Sequence, residues 1–137
     1  MNGYLLDSDV IIWRLRGNPE VLALLRDLAD RERLCCSVVS VLEVEAGMRK
    51  GEERGTVAFL DGLHDFPVDK AVARKAAHYL RQFRPKGVTL DFADCLIAAT
   101  ASLNGLVLVT KNVAHYPMED LELYVGGAAA GERSPGD

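Results

Sequence analysis

Four acidic residues stand at points where the secondary structure of the chain is predicted to change. Asp7 follows the apolar segment GYLL, Glu43 lies within SVLEVEAGMRK, and Asp91 and Asp94 lie within TLDFADCLIAATA. A carboxylate at the carboxyl end of a buried parallel strand, or on the first turn of the next helix, faces the crevice where open α/β sheets bind ligands. Carboxylates that converge there repel one another unless a cation joins them. The pattern therefore predicts a hard divalent metal and phosphate chemistry.

Each acidic position also has a structural explanation. Asp91 is well placed as the N-cap of a helix, and we favour that role for it over catalysis. Asp94 lies in the first turn of the same helix, where the helix dipole favours a carboxylate. Ser40 and Glu43 have the spacing of a capping box, so the spacing of Glu43 is as compatible with capping as with a ligand role. Asp7 is harder to explain, because an acid directly after a buried strand needs a partner or a metal.

Alternating strands and helices are predicted to position these residues. The predicted strands cover residues 3–7, 34–39, 65–68, 106–110 and 121–125. The predicted helices cover residues 10–16, 19–32, 40–50, 56–63, 69–83 and 91–103, with Asn18 before Pro19 as a helix start and Ser8 and Asp9 as caps of the first helix. This order predicts an α/β fold in which helices cover both faces of a mostly parallel sheet.

The composition is that of one compact domain. The chain has 137 residues, of which 49% are hydrophobic and 26% are charged. Its net charge of −4 supplies no overall attraction to nucleic acid, so such a substrate would need local basic residues and a bound cation. We expect one domain over residues 1–125 and a flexible tail over residues 126–137.

The cysteines and the N-terminus indicate a cytoplasmic protein. Cys35, Cys36 and Cys95 have neither the count nor the spacing of a disulfide framework or a zinc motif, and their apolar surroundings predict buried reduced thiols. The first ten residues lack the basic start and apolar stretch of a signal peptide. The longest uncharged run falls short of the ~20 residues that span a bilayer, so no membrane association is expected.

Three motifs together resemble those of the PIN-domain nucleases. They are LLDSDVIIW, SVVSVLEVEAGMRKG and DFADCLIAATASLNGLVLVTKNVAHY, and the resemblance covers residues 3–125. Within that family the chain looks most like the VapC-type toxins of type II toxin–antitoxin systems. The resemblance implies a three-layer α/β/α sandwich and an endoribonuclease that depends on Mg²⁺ or Mn²⁺ and leaves a 5′-phosphate and a 3′-hydroxyl.

The resemblance also implies roles for individual residues. Asp7, Glu43 and Asp94 match the catalytic acids of the family. We expect Asp7 and Asp94 to contact the metal, and Glu43 to hold a metal-bound water and accept its proton. Ser8 and Thr110 are expected to support this site.

Many family members carry a further carboxylate after the strand that ends at Thr110. Here Asn112 and His115 occupy the corresponding positions, and neither Asp91 nor Asp9 is favoured as a replacement. We expect Asn112 to support the site by orienting a water or by holding a carboxylate through a hydrogen bond. His64, His78 and His115 lack metal-ligand spacing and are expected to be structural or surface residues.

RNA contacts and partners are less visible in the sequence. Arg14, Arg49 and Lys111 each closely follow a proposed active-site element, so we expect them to line the groove and bind RNA phosphates. Trp13 and Tyr4 are expected in the core. The resemblance implies a cognate antitoxin protein that blocks the acidic site, a homodimer, and contact with operator DNA only through the antitoxin.

Two other functions are compatible with parts of the sequence. The segment from Asp7 to Val10 also resembles the first motif of haloacid-dehalogenase phosphatases, but Asp91 and Asp94 precede Thr110 and Lys111, which is the wrong order for that family. A catalytically degenerate PIN-like interaction module is the other alternative, because Asn112 stands where an acid is expected. A phosphomonoester assay tests the first alternative, and an RNA cleavage assay tests the second.

Overall fold

A fully parallel five-stranded sheet forms the centre of the computed structural model, which describes residues 2–125. The strands are β1 (Tyr4–Leu6), β2 (Leu34–Ser37), β3 (His64–Phe66), β4 (Val107–Thr110) and β5 (Glu122–Val125). Their order is β3-β2-β1-β4-β5, so β1 lies in the middle and is paired with both β2 and β4. The predicted α/β class is confirmed, and the expected tail over residues 126–137 lies outside the described residues.

Helices cover both faces of the sheet and complete a three-layer α/β/α sandwich. They are α1 (Ser8–Leu15), α2 (Pro19–Arg31), α3 (Val38–Ala46), α4 (Glu53–Asp61), α5 (Lys70–Phe83) and α6 (Phe92–Leu103), with 3₁₀ turns at Arg84–Lys86 and Val113–His115. Alternation along the strands divides the core into two halves. Leu5 and Leu108 pack on one face with α5 and α6, whereas Leu6 and Val109 pack on the other with α1 to α4.

Three helices, α1, α3 and α4, begin earlier than the sequence predicts, and α1 and α3 directly follow strands. The side chain of Ser37 accepts a hydrogen bond from the Val39 amide at 3.1 Å, so α3 begins at Val38. Ser40 is therefore inside the helix and buried, and the capping box with Glu43 is wrong. Likewise α1 begins at Ser8 with Asp7 as its N-cap, rather than with Ser8 or Asp9 as a cap. In both cases the residue that caps the helix also ends the preceding strand earlier than predicted. The β-branched residues that follow Ser37 had favoured a longer strand.

The buried residues follow most of the sequence expectations. All three cysteines are buried and unpaired, and Tyr4 belongs to the core. Trp13 is 43% exposed, so its predicted core position is wrong. Among residues 2–125, no helix is long and apolar enough to cross a membrane.

Replacing Leu108 by alanine tests this packing. Leu108 is fully buried in β4 between α6 and the neighbouring strands, and Leu108→Ala should lower the free energy of unfolding by about 3 kcal/mol through lost burial and a residual cavity. Urea unfolding followed by circular dichroism measures the change. Leu103→Ala is the matched control, because Leu103 is 48% exposed; an equal loss in both variants would contradict the described core.

Candidate active site

The centre of the site lies where β1 and β4 end side by side. Asp7 follows β1 directly, and its amide donates to the carbonyl of Val109 in β4 at 3.1 Å. Its carboxylate is buried, and each of the two carboxylate oxygens accepts a hydrogen bond. Oδ1 accepts from the Val10 amide at 2.9 Å, and Oδ2 accepts from the Thr110 hydroxyl at 2.6 Å. The partner that this acid requires is therefore the N-terminus of α1 together with Thr110.

Burial makes the charge on Asp7 costly despite these partners. Desolvation raises the pKa of Asp7 to about 6, against the lowering effect of the hydrogen bonds from Thr110 and Val10. The negative charges of Asp9 and Asp94 add to the increase. A cation beside Asp7 would offset both causes, because it would stabilise the ionised form.

Asp94 is the second carboxylate with a strongly raised pKa. It lies in the first turn of α6, and burial followed by the charge of Asp91 raises its pKa to about 6. The Asp91 carboxylate accepts from the Asp94 amide at 3.1 Å, which confirms Asp91 as the N-cap of α6. Asp91 nevertheless contributes negative charge to the site.

Two residues in the segment that follows β4, His115 and Tyr116, contact the Asp94 carboxylate. His115 Nδ1 lies 3.4 Å from Oδ2 of Asp94, and the Tyr116 hydroxyl donates to Oδ1 at 3.4 Å. Burial, with the charges of Asp7 and Asp94, raises the pKa of Tyr116 far above its ordinary value, so the hydroxyl remains a hydrogen-bond donor. His115 is exposed, as expected of a surface residue, and it also lines the cleft beside Asp94. Its place five residues beyond Thr110 was visible in the sequence, but no ligand spacing distinguished it.

Glu43 is held by a pair of serines. Ser8 Oγ lies 2.6 Å from Oε1 of Glu43 and 2.9 Å from Oγ of Ser40. An ionised carboxylate only accepts, and a hydroxyl has one hydrogen to donate. Ser8 therefore donates to Glu43 and accepts from the buried Ser40. Sequence reasoning missed Ser40 as a site residue, because the same i, i+3 spacing had suggested a cap.

Asn112 extends the network from β4 toward α1. Its backbone amide donates to Thr110 Oγ1 at 2.9 Å, and its side-chain amide donates to Oδ2 of Asp9. Asn112 thus holds a carboxylate, which is one of the two roles expected for it.

These side chains line one open cleft of about 490 Å³. Its walls include five acidic residues, Ser8, and two residues of the segment that follows β4. These lining residues are Asp7, Ser8, Asp9, Glu43, Asp91, Asp94, His115 and Tyr116. The structure therefore brings the three predicted catalytic acids together. The pairing of β1 with β4 and the packing of α1 against α3 bring together residues that are up to 103 positions apart in the sequence.

The predicted RNA-binding residues lie outside this cleft. Arg14 and Arg49 line a neighbouring groove between α1, α3 and α4, and the Arg14 guanidinium lies 4.3 Å from the centre of the Phe59 ring. The Lys111 ammonium lies 5.9 Å from the centre of the Trp13 ring. Arg14 and Arg49 therefore line a groove other than the acidic cleft, and their contact with RNA phosphates stays a prediction.

The donor set of the cleft fits a hard divalent cation. Between residues 2 and 125, no three acidic, histidine or cysteine side chains are close enough to hold a metal as a group. Two carboxylates are sufficient for Mg²⁺, which keeps several of its waters. Asp7 and Asp94 are the two whose ionised forms would gain most from a cation, and both offer oxygen ligands.

Comparison with known proteins gives one consistent result. Residues 4–118 match the PIN domain family. The chain is 38% identical over 114 residues to ribonuclease VapC10 of Mycobacterium tuberculosis, covering 83% of this chain and 86% of that protein, and 33% identical to ribonuclease VapC19 of the same species, covering 83% and 92%.

Solved structures share the fold. The VapBC2 structure from Rickettsia felis, bound to a promoter DNA fragment, contains a chain with a TM-score of 0.80 and 21% identity, covering 90% of this chain and 98% of that one. A chain of FitAcB from Neisseria gonorrhoeae has a TM-score of 0.73 and 26% identity, covering 88% and 95%. The haloacid-dehalogenase alternative gains no support from these matches.

Asp94→Asn should stabilise the metal-free protein at neutral pH. A carboxyl whose folded pKa is raised favours folding below its unfolded pKa of 3.8, and that contribution is lost as the pH rises through about 6. The neutral amide avoids the loss, so the variant should gain about 1 kcal/mol at pH 7.5 after allowance for solvent screening.

Thermal unfolding in EDTA at pH 4 and pH 7.5 measures the difference. The gain should be present at pH 7.5 and nearly absent at pH 4. A variant less stable than the natural chain at pH 7.5 would show that the Asp94 charge stabilises the fold instead.

Proposed function

Because the chain belongs to the PIN-domain family and VapC-type ribonucleases are among its relatives, we propose that it is the endoribonuclease toxin of a toxin–antitoxin pair. The observation that carries the proposal is the convergence of Asp7, Glu43 and Asp94 on one cleft. Two of these acids carry pKa values raised by burial, which is the state expected of carboxylates awaiting a cation.

The reaction depends on Mg²⁺ or Mn²⁺, held by Asp7 and Asp94. When bound, such a cation polarises a phosphate, lowers the pKa of a water and stabilises developing negative charge. Asp7 supplies a ligand whose position is set by Thr110 and the first turn of α1. Asp94 supplies a second, whose position is set by Tyr116 and His115.

Glu43 acts as the general base. Its carboxylate is exposed to the cleft, and the Ser8 hydroxyl holds one oxygen while the other remains available for a water. Glu43 takes a proton from the attacking water as the oxygen–phosphorus bond forms. The bond from phosphorus to the 3′-oxygen then breaks. That oxygen takes a proton from solvent and leaves as a hydroxyl, and Glu43 returns its own proton to solvent. One water is consumed, and the products carry a 5′-phosphate and a 3′-hydroxyl.

RNA reaches the acids across basic surface outside the cleft. Arg14 and Arg49 line a groove that adjoins the cleft through α1 and α3, and Lys111 follows the end of β4. Their positive charges would bind phosphates on either side of the cleaved bond, which an acidic cleft alone would repel.

The partners follow from the same family membership. The solved structures that share the fold include toxin–antitoxin complexes, and two VapBC structures among them are bound to DNA, one of them to a fragment from the promoter. By analogy, a cognate antitoxin protein blocks the acidic cleft of this chain, and operator DNA is contacted through that antitoxin. We place the protein in the cytoplasm and expect it to form a homodimer.

RNA cleavage should require the acids and a divalent cation. Asp94→Asn and Glu43→Gln should each reduce cleavage by at least about 100-fold, because one removes a metal ligand and the other the general base. Glu45→Gln is the matched control, since Glu45 lies on the same helix but outside the cleft. Cleavage of a labelled RNA is measured in Mg²⁺ and in EDTA.

Two results would contradict the proposal. Full activity of Asp94→Asn in excess Mg²⁺ would exclude the metal assignment. No cleavage by the natural chain under any metal condition would favour the degenerate interaction module.

Removing a basic residue should weaken RNA binding in a salt-dependent manner. Lys111→Ala and Arg49→Ala should each reduce the dependence of log affinity on log salt by about 0.7, the value for one contact with a single-stranded phosphate. Fluorescence anisotropy with Glu43→Gln as the background avoids cleavage during the titration. Arg26→Ala, on the exposed face of α2, is the control, and equal slopes in all variants would exclude these phosphate contacts.

A further inference from the structure

Trp13 lies at the surface beside the acidic cleft. It is 43% exposed, and Asp9, four residues earlier on the same helix, lines the cleft. Residues four apart share one face of a helix, so Trp13 stands about 5.4 Å, or one turn, along α1 from a residue of the cleft wall. Helical side chains lean toward the N-terminus of their helix. The N-terminus of α1 is its cleft end, because Asp7 caps it, so the indole leans toward the acids.

The segment after β4 places a positive charge beside this ring. The Lys111 ammonium lies 5.9 Å from the centre of the Trp13 ring, which is within the range of a cation–π interaction. The next residue, Asn112, donates to Asp9 on α1, so two successive residues of this segment contact the same helix. The surface next to the cleft therefore presents an aromatic ring and a cation together.

An exposed aromatic ring with a neighbouring cation has the two parts that bind single-stranded nucleic acid. The ring stacks against the face of a base, and the cation attracts the adjoining phosphate. A protein partner anchored on Trp13 is the competing explanation. The charge of Lys111 and the position one turn from the predicted catalytic acids favour RNA, because a nucleotide next to the cleaved bond would have to lie close to that wall of the cleft.

We propose that Trp13 and Lys111 bind one unpaired RNA base and its phosphate beside the nucleotide that is cleaved. The inference rests on the proposed function, because the RNA is the substrate of the same cleft. It adds a requirement on that substrate, which must be single-stranded at this position. A base inside a duplex is already stacked on both faces and cannot also stack on a protein ring without leaving the helix.

Fluorescence of Trp13 tests the stacking directly, because Trp13 is the only tryptophan of the chain. The full-length chain carries Glu43→Gln and is titrated in Mg²⁺, so that RNA binds without being cut. A short oligouridylate should quench the emission. An oligomer with the same number of phosphates and no bases should bind more weakly and leave the emission unchanged. Unchanged emission in a sample that fluorescence anisotropy shows to be saturated with oligouridylate would overturn the proposal.

Variants in the same Glu43→Gln background separate stacking from charge. Trp13→Leu should weaken oligouridylate binding about tenfold. It should not change the dependence of log affinity on log salt, because it removes no phosphate contact. Trp13→Phe keeps a ring and should bind within about threefold of the unsubstituted background. Leu103→Ala is the control, since it removes an exposed apolar side chain at the end of α6. Circular dichroism checks that each variant is folded.

Two results with these variants would overturn the stacking. One is equal affinity of Trp13→Leu and Leu103→Ala for oligouridylate. The other is a loss in Trp13→Phe as large as the loss in Trp13→Leu, because a ring that stacks on bases should be replaceable by another ring.

The outcomes also distinguish this inference from the proposed function. If the chain binds and cleaves RNA but Trp13 is not quenched, the proposed function stands and only the base-binding site is overturned. The exposed ring would then be assigned to a protein partner. If the natural chain neither binds nor cleaves RNA, both are overturned.

Discussion

Burying a carboxylate at the end of the central strand is the constraint on which the site depends. Asp7 is almost fully covered, and an isolated charge there would be too costly to retain. The fold meets that cost with a helix N-terminus and the hydroxyl of Thr110, which together satisfy both oxygens. The charge still remains unfavourable, because desolvation outweighs the hydrogen bonds and raises the pKa of Asp7, and a cation beside it would offset that cost.

The remaining site residues are organised around this point by strand order. With β1 between β2 and β4, the helices that follow β1 and β2 begin close together, so Ser8 on α1 meets Ser40 and Glu43 on α3. The segment after β4 closes the opposite side and contacts Asp94 through His115 and Tyr116. Three segments of the chain thus supply one cleft that is lined by acidic side chains.

The sequence predicted the fold class, five strands, the N-caps of α2 and α6, and the three converging acids, because these depend on local patterns and on the parallel topology. It did not predict the start of α3, since Val38 and Val39 are compatible with a strand until the Ser37 cap is seen. The contacts of Ser40 with Ser8 and of His115 with Asp94 also escaped it. Each joins residues more than twenty positions apart, which no local spacing encodes.

The bond between Thr110 and Asp7 joins residues 103 positions apart. During synthesis, β1 is made long before β4. Asp7 therefore lacks its hydrogen-bond partner Thr110 while most of the chain is translated. The cleft is complete only once the segment that carries His115 and Tyr116 has packed against Asp94. The acidic cleft therefore cannot assemble on a chain that has been synthesised only as far as α6.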